Sequence, residues 1–410
     1  MFDKKALDFV NIAENDCKEV FDKLEEICLY NQNKVLEAFQ NVNLQLADIA
    51  SSTGYGGEDR AKGKLGEIYA KAFGAEFGIV SPLIASGTHA LTIALFGLLR
   101  PGDTMFSVTG KPYDTLMGVI FGENNGSLKD FQVKYDDVEL VNNDFDFDLI
   151  KKKVIEIKPK MLYIQRSRGY TSRESLSVDK IEKLVKFVRE FDKKVIIMVD
   201  NCYGEFVETR EPTEVGADVM VGSLIKNAGG GIAPTGAYIV GKKDLVELIS
   251  SRFIAPNIGL DVGSYAGSYT PFFQGCFLAP HTTLNALKGN ILLGRVAEKL
   301  GFTSFPKVNE MPHDLVRTFE MKNADNLIEF CRMIQKFSPV DSSVVPYPWD
   351  MPGYSDKVIM AAGSFIQGSS IELSADGPIR NPYLVYLQGG LTYEHLKIVA
   401  IKFAEKYLNA

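Results

Sequence analysis

The sequence predicts an α/β protein with a mostly parallel sheet in a large domain, followed by a smaller C-terminal α/β domain. From about residue 77, short β-branched runs alternate with longer segments of helical periodicity. The runs are nearly continuously apolar, as expected for strands covered by helices on both faces of a parallel sheet. The length of 410 residues adds a second constraint, because at roughly 150 residues per domain it predicts two or three domains.

The individual elements follow from these patterns. Strands are predicted at 105–110, 161–167, 195–201, 219–225 and 236–241. Helices are predicted within residues 1–50, at 65–76, in the segments PYDTLMGVIFG and SVDKIEKLVKFVREFDK, and at 282–302. The glycine-rich, aromatic segment from Phe253 to Pro280 lacks periodicity and is expected to be irregular. The predicted domains are a helical N-terminal arm (1–60), a large domain (61–290) and a small C-terminal domain (291–410).

Composition excludes several classes of protein. Hydrophobic residues make up 46% and charged residues 24% of the chain, which is typical of globular proteins and excludes disorder. The formal charge of -7 leaves no basic excess for binding nucleic acid or an anionic membrane. Five scattered cysteines without a C-x-x-C pair indicate free thiols in a reducing compartment, so a cytoplasmic location is expected.

One uncharged stretch is long enough to cross a membrane. No charged residue occurs between Phe77 and Leu99, a length that could span a bilayer. Pro82, three glycines and several hydroxyl residues within it are poorly suited to a lipid-facing helix. The stretch is therefore predicted to form a buried strand, a turn and a helix, and no membrane partner is expected.

Common catalytic motifs are missing from the sequence. No G-x-G-x-x-G follows an early strand, no G-x-S-x-G is present, and GEDRAKGK lacks the spacing and the hydroxyl residue of a phosphate loop. None of the four histidines pairs with another at metal-ligand spacing. Neither a dinucleotide site nor a metal site is predicted.

Two short segments contain groups suited to a phosphate and a flat ring. Ser86, Gly87 and Thr88 open the apolar helix ALTIALFGLL, and a helix N-terminus presents N–H donors to anions. Ser and Thr are also ordinary N-cap residues. Tyr113 follows the strand at 105–110 and could stack on a planar ring or simply occupy the core.

Two further segments add a carboxylate and an amine. Asp200 ends the apolar strand VIIMVD, at the edge where ligands bind in such sheets, although a capping role is equally compatible. Ser223 and Lys226 follow the next strand and precede Gly229, Gly230 and Gly231. A buried lysine there would be suited to Schiff-base chemistry, whereas an exposed one would be a surface residue.

The order of these four segments matches the needs of a phosphorylated pyridine aldehyde. The turn around Ser86 and the Ser223 hydroxyl would hold the phosphate, and Tyr113 would stack on the ring. Asp200 would keep the ring nitrogen protonated, which makes the ring an electron sink. Lys226 would bind the aldehyde covalently as a Schiff base. The sequence therefore predicts pyridoxal 5'-phosphate (PLP) as the cofactor.

The same segments resemble the fold-type I PLP enzymes. Within that group the chain is similar to the methionine gamma-lyase and cystathionine lyase-like family that includes the aluminium-resistance proteins. The similar segments are TGYGGEDRAKGKLGEIYAKAFGAE, ASGTHALTIALFGLLRPGD, TGKPYDTLMGVI, LYIQRSRGYTSRESLSV, GSLIKNAGGGIAPTGAYIVG and PIRNPYLVYLQGGLTYEH. They extend from about residue 50 to the C-terminus.

The resemblance implies further site residues and an oligomer. Tyr55 and Arg60 match a segment that reaches into a neighbouring subunit's phosphate site, although four residues separate them, unlike the spacing in the well-studied lyases. A homodimer or homotetramer with sites at the dimer interface is thus implied. Arg380 is the candidate for binding the substrate carboxylate, with Arg166, Arg168 and Arg173 as alternatives. Gln165 is a candidate for contacting the cofactor ring oxygen or the substrate, or is an ordinary polar residue at a strand edge.

The implied activity is that of a PLP-dependent carbon–sulfur lyase acting on a sulfur-containing amino acid. β- or γ-elimination would yield an oxoacid, ammonia and a thiol. Lys226 would remove the α-proton, and Lys226 or Tyr55 could serve a second proton shift. An aminotransferase on the same scaffold and a non-catalytic, PLP-binding regulatory protein remain alternatives at this point.

Overall fold

The computed structural model describes residues 2–57, 59–171, 173–351, 354 and 356–409. The helices are α1 (Lys4–Asp16), α2 (Lys18–Asn41), α3 (Arg60–Ala72), α4 (Gly87–Leu98), α5 (Asp114–Phe121), α6 (Phe147–Ile157), α7 (Val178–Phe191), α8 (Lys243–Phe253), α9 (Thr270–Lys299), α10 (Ala324–Lys336) and α11 (Tyr393–Leu408). The strands are β1 (Phe77–Ser81), β2 (Thr104–Ser107), β3 (Lys134–Asp137), β4 (Met161–Gln165), β5 (Ile196–Asp200), β6 (Val219–Ser223), β7 (Ala237–Gly241), β8 (Thr303–Phe305), β9 (Arg317–Glu320), β10 (Val358–Ala362), β11 (Ser374–Pro378) and β12 (Leu384–Gln388). The α/β prediction is confirmed.

A seven-stranded sheet forms the larger half of the fold, in the order β1-β7-β6-β5-β4-β2-β3. The four adjacent pairs from β6 to β3 are parallel, and β7 is antiparallel to both of its neighbours. Apolar clusters cover both faces of this sheet, which explains why its central strands are apolar throughout. All five strands predicted from the sequence are present.

A second, five-stranded sheet is antiparallel throughout, in the order β10-β11-β12-β9-β8. Its core includes Phe319 and Val385, which belong to the same cluster as Val10 of α1. The helices of residues 1–60 are therefore shared between the cores of both sheets. The separate N-terminal arm and the domain boundaries at residues 60 and 290 remain predictions, and α9 runs across the second boundary.

One expectation about secondary structure was wrong. The segment from Phe253 to Pro280 is not irregular throughout, because α9 begins at Thr270 and contains Pro280. In this part of α9, Phe272, Phe273 and four further residues are buried, whereas Thr270, Gln274 and Phe277 are exposed at helical spacing. Because Phe277 is apolar and the buried side includes Gly275 and Pro280, the sequence shows only a weak amphipathic period.

The uncharged stretch at residues 77–99 forms β1, a turn and α4, as predicted. Within the described residues, no helix combines the length and apolar character needed to cross a membrane.

The parallel arrangement determines where the polar residues at the strand ends meet. Gln165 ends β4, Asp200 ends β5 and Ser223 ends β6. Gln165 and Asp200 lie opposite each other in the register of β4 and β5. Because parallel strands end at the same edge, all three side chains are directed to one end of the sheet, which is the ligand-binding edge of open α/β sheets.

Candidate active site

A cavity of about 770 Å³ lies at this edge and is lined by residues from both sheets. Nine of the residues predicted from the sequence line it together: Ser86, Gly87, Thr88, Tyr113, Gln165, Asp200, Ser223, Lys226 and Arg380. Tyr55 and Arg60 do not. The structure thus brings together residues as much as 294 positions apart in the chain, from Ser86 to Arg380.

One end of the cavity is suited to an anion. Ser86 is the N-cap of α4, and its Oγ accepts a hydrogen bond from the His89 N–H at 3.1 Å. A Cβ at Gly87 would lie 3.5 Å from the Cβ of Ser223, so the start of α4 and the end of β6 adjoin. The Ser223 Oγ is buried and has no hydrogen-bond partner among the described residues. A bound phosphate would supply that partner.

Tyr113 is held in place by its neighbours. Its hydroxyl lies 2.8 Å from Thr88 Oγ1, and its backbone N–H donates to Gln165 Oε1 at 2.8 Å. The amide of Gln165 in turn donates to the Ser167 carbonyl at 3.1 Å. Gln165 therefore positions Tyr113, and because it also lines the cavity, its contact with cofactor or substrate stays a prediction.

Asp200 is a buried carboxylate that lies in none of the ion pairs found in the described part of the chain. Its Oδ1 accepts from the Cys202 N–H at 3.1 Å and its Oδ2 from the Tyr163 hydroxyl at 3.4 Å. Burial raises the pKa of Asp200, although the Cys202 N–H and the positive charge of Lys226 act in the opposite direction. Because burying an unpaired charge costs free energy, Asp200 is expected to bind a cationic group.

The Lys226 ammonium lies over an aromatic ring. Its Nζ is 3.5 Å from the centroid of the Tyr203 ring and 3.4 Å from Ser370 Oγ. Burial acts to lower the pKa of Lys226, but the neighbouring Tyr203, Cys202 and Asp200 outweigh it and raise the pKa. Tyr203 and Ser370 were not identified from the sequence, because no spacing pattern links either of them to Lys226.

These groups fit the predicted cofactor. The unpartnered Ser223 hydroxyl beside the N-terminus of α4 suits its phosphate, and Asp200 suits a protonated ring nitrogen. Lys226 supplies the primary amine that an aldehyde requires. The three groups line one cavity, so a single molecule could contact all of them.

The four candidate arginines have different surroundings. Arg166 is fully buried in ion pairs with Glu208 and Glu211 and is not among the residues that line the cavity. Arg173 donates to the Gln165 carbonyl at 2.8 Å and, like Arg168 and Arg380, lines the cavity.

Arg168 and Arg380 differ most clearly in their burial and in their ion-pair partners. Arg380 is half exposed and pairs with Asp356 at 2.8 Å. Arg168 is 2% exposed, donates from Nη1 to Thr318 Oγ1 at 3.3 Å, and has no hydrogen-bond partner at Nε in the described structure. A buried guanidinium without a carboxylate is expected to bind an anionic ligand.

The five-stranded sheet presents a polar face to the same cavity. Asp376 of β11 lies opposite Tyr386 of β12, and Gln388 follows two residues later on the same face. Burial raises the pKa of Asp376 to about 6, and the nearby Tyr170 and Lys226 reduce that effect. Asp376 and Gln388 were missed from the sequence, although polar residues at alternate positions of otherwise apolar strands were a usable signal.

Tyr55 and Arg60 lie outside this cavity. The Tyr55 residue is 80% exposed, and its carbonyl accepts from the Gly263 N–H at 3.0 Å. The Arg60 side chain is 73% exposed and lies 3.9 Å from Asp48. Their predicted roles require a second subunit and stay predictions.

No group of three or more His, Cys, Asp or Glu side chains that could hold a metal ion occurs in the described residues.

Comparison with known proteins identifies the family. The family model described as methionine gamma-lyase matches residues 6–408. The chain belongs to the methionine gamma-lyase family. This confirms the resemblance and the prediction of a PLP-dependent carbon–sulfur lyase of fold type I. It gives no support to the aminotransferase or to the regulatory protein.

Relatives of this lyase match it over nearly its full length. An uncharacterised protein of Bacillus subtilis (strain 168), YnbB, is 50% identical over 94% of the chain and 92% of its own length. The structure of a carbon–sulfur lyase involved in aluminium resistance from Clostridium novyi NT is 46% identical, with a TM-score of 0.94, covering 99% and 96% of the two chains. The PLP-dependent protein YhfS from Escherichia coli shares the fold, with a TM-score of 0.64 at 16% identity, covering 94% and 97%.

Replacing Ser223 and Ser86 separately by alanine tests the anion-binding end of the lyase cavity. Ser223→Ala should weaken cofactor binding about tenfold, because one hydrogen bond to a charged group is lost. It should not destabilise the cofactor-free protein, because the removed oxygen has no partner there. Ser86→Ala is the comparison and should lower the unfolding free energy of the cofactor-free protein by about 1 kcal/mol through loss of the N-cap. Equilibrium dialysis and urea unfolding measure both effects, and unchanged cofactor affinity in Ser223→Ala would contradict the assignment.

Proposed function

We propose that this lyase holds PLP through a Schiff base with Lys226 and cleaves the carbon–sulfur bond of an amino acid. The observation that carries the proposal is the placement of Lys226, Asp200 and Ser223 around one cavity. Cleavage releases the sulfur substituent as a thiol, and the remaining fragment hydrolyses to an oxoacid and ammonia. The bound cofactor supplies an electron sink for the electrons left at the α-carbon.

Each residue then has a distinct task. The N-terminus of α4 and the Ser223 hydroxyl would bind the phosphate of the cofactor, and the Asp200 carboxylate would hold the proton on its ring nitrogen. The Lys226 amine would hold the cofactor in the resting enzyme and would take the α-proton of the substrate during the reaction. Tyr203 and Ser370 lie within 3.5 Å of that amine and hold it in position. If cleavage occurs at the γ-carbon, a second proton shift is needed, which Lys226 or Tyr55 of the partner subunit can perform.

Lys226 is the residue whose removal tests the proposal most directly. The purified protein should show a visible absorption band from the attached cofactor, and Lys226→Ala should abolish both this band and turnover. Borohydride reduction should fix the cofactor on the peptide that contains Lys226, as read by mass spectrometry. With methionine, cystathionine and S-alkylcysteines as substrates, at least one should release ammonia and a thiol in equal amounts. Absence of a thiol product from the whole panel would refute the lyase.

Arg168 is the best-placed group for the substrate α-carboxylate. Its guanidinium is buried, lines the cavity and keeps an unpartnered Nε. Arg380, predicted from the family resemblance, lies at the half-exposed rim and is already paired with Asp356. We therefore assign the carboxylate to Arg168 and a position at the cavity rim to Arg380.

Substituting these arginines separates the two assignments. Arg168→Gln should raise KM by about 30-fold or more, since losing one partner of a buried charge pair costs about 2–5 kcal/mol. Arg380→Gln should change KM by less than about fivefold, because an exposed pair contributes at most about 1 kcal/mol. KM of both variants is obtained from initial rates with the best substrate. A larger increase of KM in Arg380→Gln than in Arg168→Gln would assign the substrate carboxylate to Arg380.

We also propose a homodimer or homotetramer in which Tyr55 and Arg60 complete the partner's phosphate site. The exposure of both side chains supports this proposal. A cytoplasmic location is proposed as well, in keeping with five free cysteines.

A subunit-mixing experiment tests the shared site. Lys226→Ala and Arg60→Ala subunits should each be inactive or nearly so, but mixed dimers should regain activity. The reason is that one of their two sites combines a wild-type Lys226 with a wild-type Arg60 from the partner. Activity after unfolding and refolding the two variants together is compared with that of each variant refolded alone. A monomer in analytical ultracentrifugation, or no gain on mixing, would contradict the arrangement.

A further inference from the structure

Two side chains of the five-stranded sheet each have a buried acceptor oxygen that forms no regular hydrogen bond within the described residues. Asp376 and Gln388 line the cavity and are 6% and 7% exposed. The Gln388 amide donates to Asp376 Oδ2 at 3.0 Å. Asp376 Oδ1 and Gln388 Oε1 are both buried, and neither has a hydrogen bond of ordinary geometry in the described part of the chain. The Tyr170 hydroxyl is the nearby donor that lowers the pKa of Asp376. Unpaired buried acceptors destabilise a fold, so two neighbouring ones at a cavity wall indicate a ligand that donates to both.

The sheet register makes this pair part of one surface. Residues two apart on a strand share a face, and Asp376 pairs with Tyr386 on one side and with Met360 on the other. Tyr386 pairs in turn with Thr318, which accepts from Arg168. The same sheet face thus carries a negative group at Asp376 and anchors a positive group at Arg168, with the Tyr386 strand between them.

We propose that Asp376 and Gln388 form a subsite for an ammonium group at the far end of the substrate's sulfur substituent. The preferred substrate would then be a thioether whose leaving thiol carries a primary amine, with its reacting end held by Arg168 and Lys226. An ammonium fits because it offers several N–H donors and could donate to Asp376 Oδ1 and Gln388 Oε1 at once, which the single hydroxyl of Tyr170 cannot do. A neutral alkyl substituent would leave both acceptors unpaired.

A proton-donor role for Asp376 is the main competing explanation. A proton donor would need one polar contact with the leaving sulfur and would affect every thioether alike. A proton donor would not need the second free acceptor, on Gln388, whereas an ammonium site would use it. The net negative charge of the pair at neutral pH, with the Asp376 pKa at about 6, also favours a cation.

The inference rests on the proposed lyase function, and its test uses probes that differ only in charge. S-(2-aminoethyl)-L-cysteine and S-propyl-L-cysteine have equal length and end in an ammonium and a methyl group. The holoenzyme should favour the ammonium compound in kcat/KM by about 10–100-fold, as expected for a buried charged hydrogen bond. The homocysteine counterparts repeat the comparison with one more methylene.

Carbon analogues separate binding from cleavage. L-Lysine and L-2-aminoheptanoate replace the sulfur of the two compounds by a methylene and cannot undergo carbon–sulfur cleavage. As competitive inhibitors, or by calorimetry, lysine should bind the holoenzyme at least about tenfold more tightly. If no thioether is cleaved but lysine keeps this advantage, the lyase proposal fails and the subsite stands. If thioethers are cleaved without any preference for the amine, only the subsite fails.

Two variants test the assignment to these residues. D376N should remove the preference for the ammonium compounds, because kcat/KM should fall at least about tenfold more for S-(2-aminoethyl)-L-cysteine than for S-propyl-L-cysteine. The double variant D376N/Q388E moves the carboxylate to the neighbouring strand and should restore at least part of the preference. If D376N instead lowers kcat equally for both compounds, Asp376 is a proton donor and the proposal is overturned. If D376N fails to fold, restoration of the preference in the double variant supports the subsite, and its absence overturns it.

Discussion

Asp200 and Lys226 lie close enough that each shifts the pKa of the other. The other residues of the site are arranged around this attraction between a carboxylate and an ammonium group. Neither charge would be stable in an apolar interior alone. The parallel sheet brings the two charges together, because β5 and β6, which precede them in the chain, end at the same edge. Tyr203 and Ser370 then fix the amine, while the carboxylate keeps its capacity to bind the ring of a cofactor.

The two sheets contribute different parts of the chemistry. The seven-stranded sheet supplies the groups suited to the cofactor, namely Ser223, Asp200 and the start of α4. The five-stranded sheet supplies Asp376 and Gln388, which suit the substrate's leaving group. This division allows substrate preference to change through one sheet face without disturbing the groups that hold the cofactor, which is how one fold supports several related reactions.

Some of the site could be predicted because local patterns coincide with function. Gln165, Asp200 and Ser223 could be identified as polar residues at the ends of apolar strands. Ser86 could be identified because hydroxyl residues precede an apolar helix. The first part of α9 was missed because its exposed face includes the apolar Phe277 and its buried side includes Gly275 and Pro280, which weakens the amphipathic period. Asp376 was missed because its partner Gln388 lies twelve residues away on another strand, and only the register brings them together.

The amino-acid sequence by itself predicted the fold class, the cofactor and the lysine that we propose to bind it. Each prediction depends on short segments whose periodicity, composition or order along the chain carries the information. Only the tertiary structure decided which of the candidate arginines at the cavity is buried and outside every ion pair of the described residues, and which acceptors there keep a free position, since these properties depend on contacts between distant segments. It also showed that Tyr55 and Arg60 lie outside their own subunit's cavity. Their proposed roles therefore depend on packing against a second chain, which a single sequence does not specify.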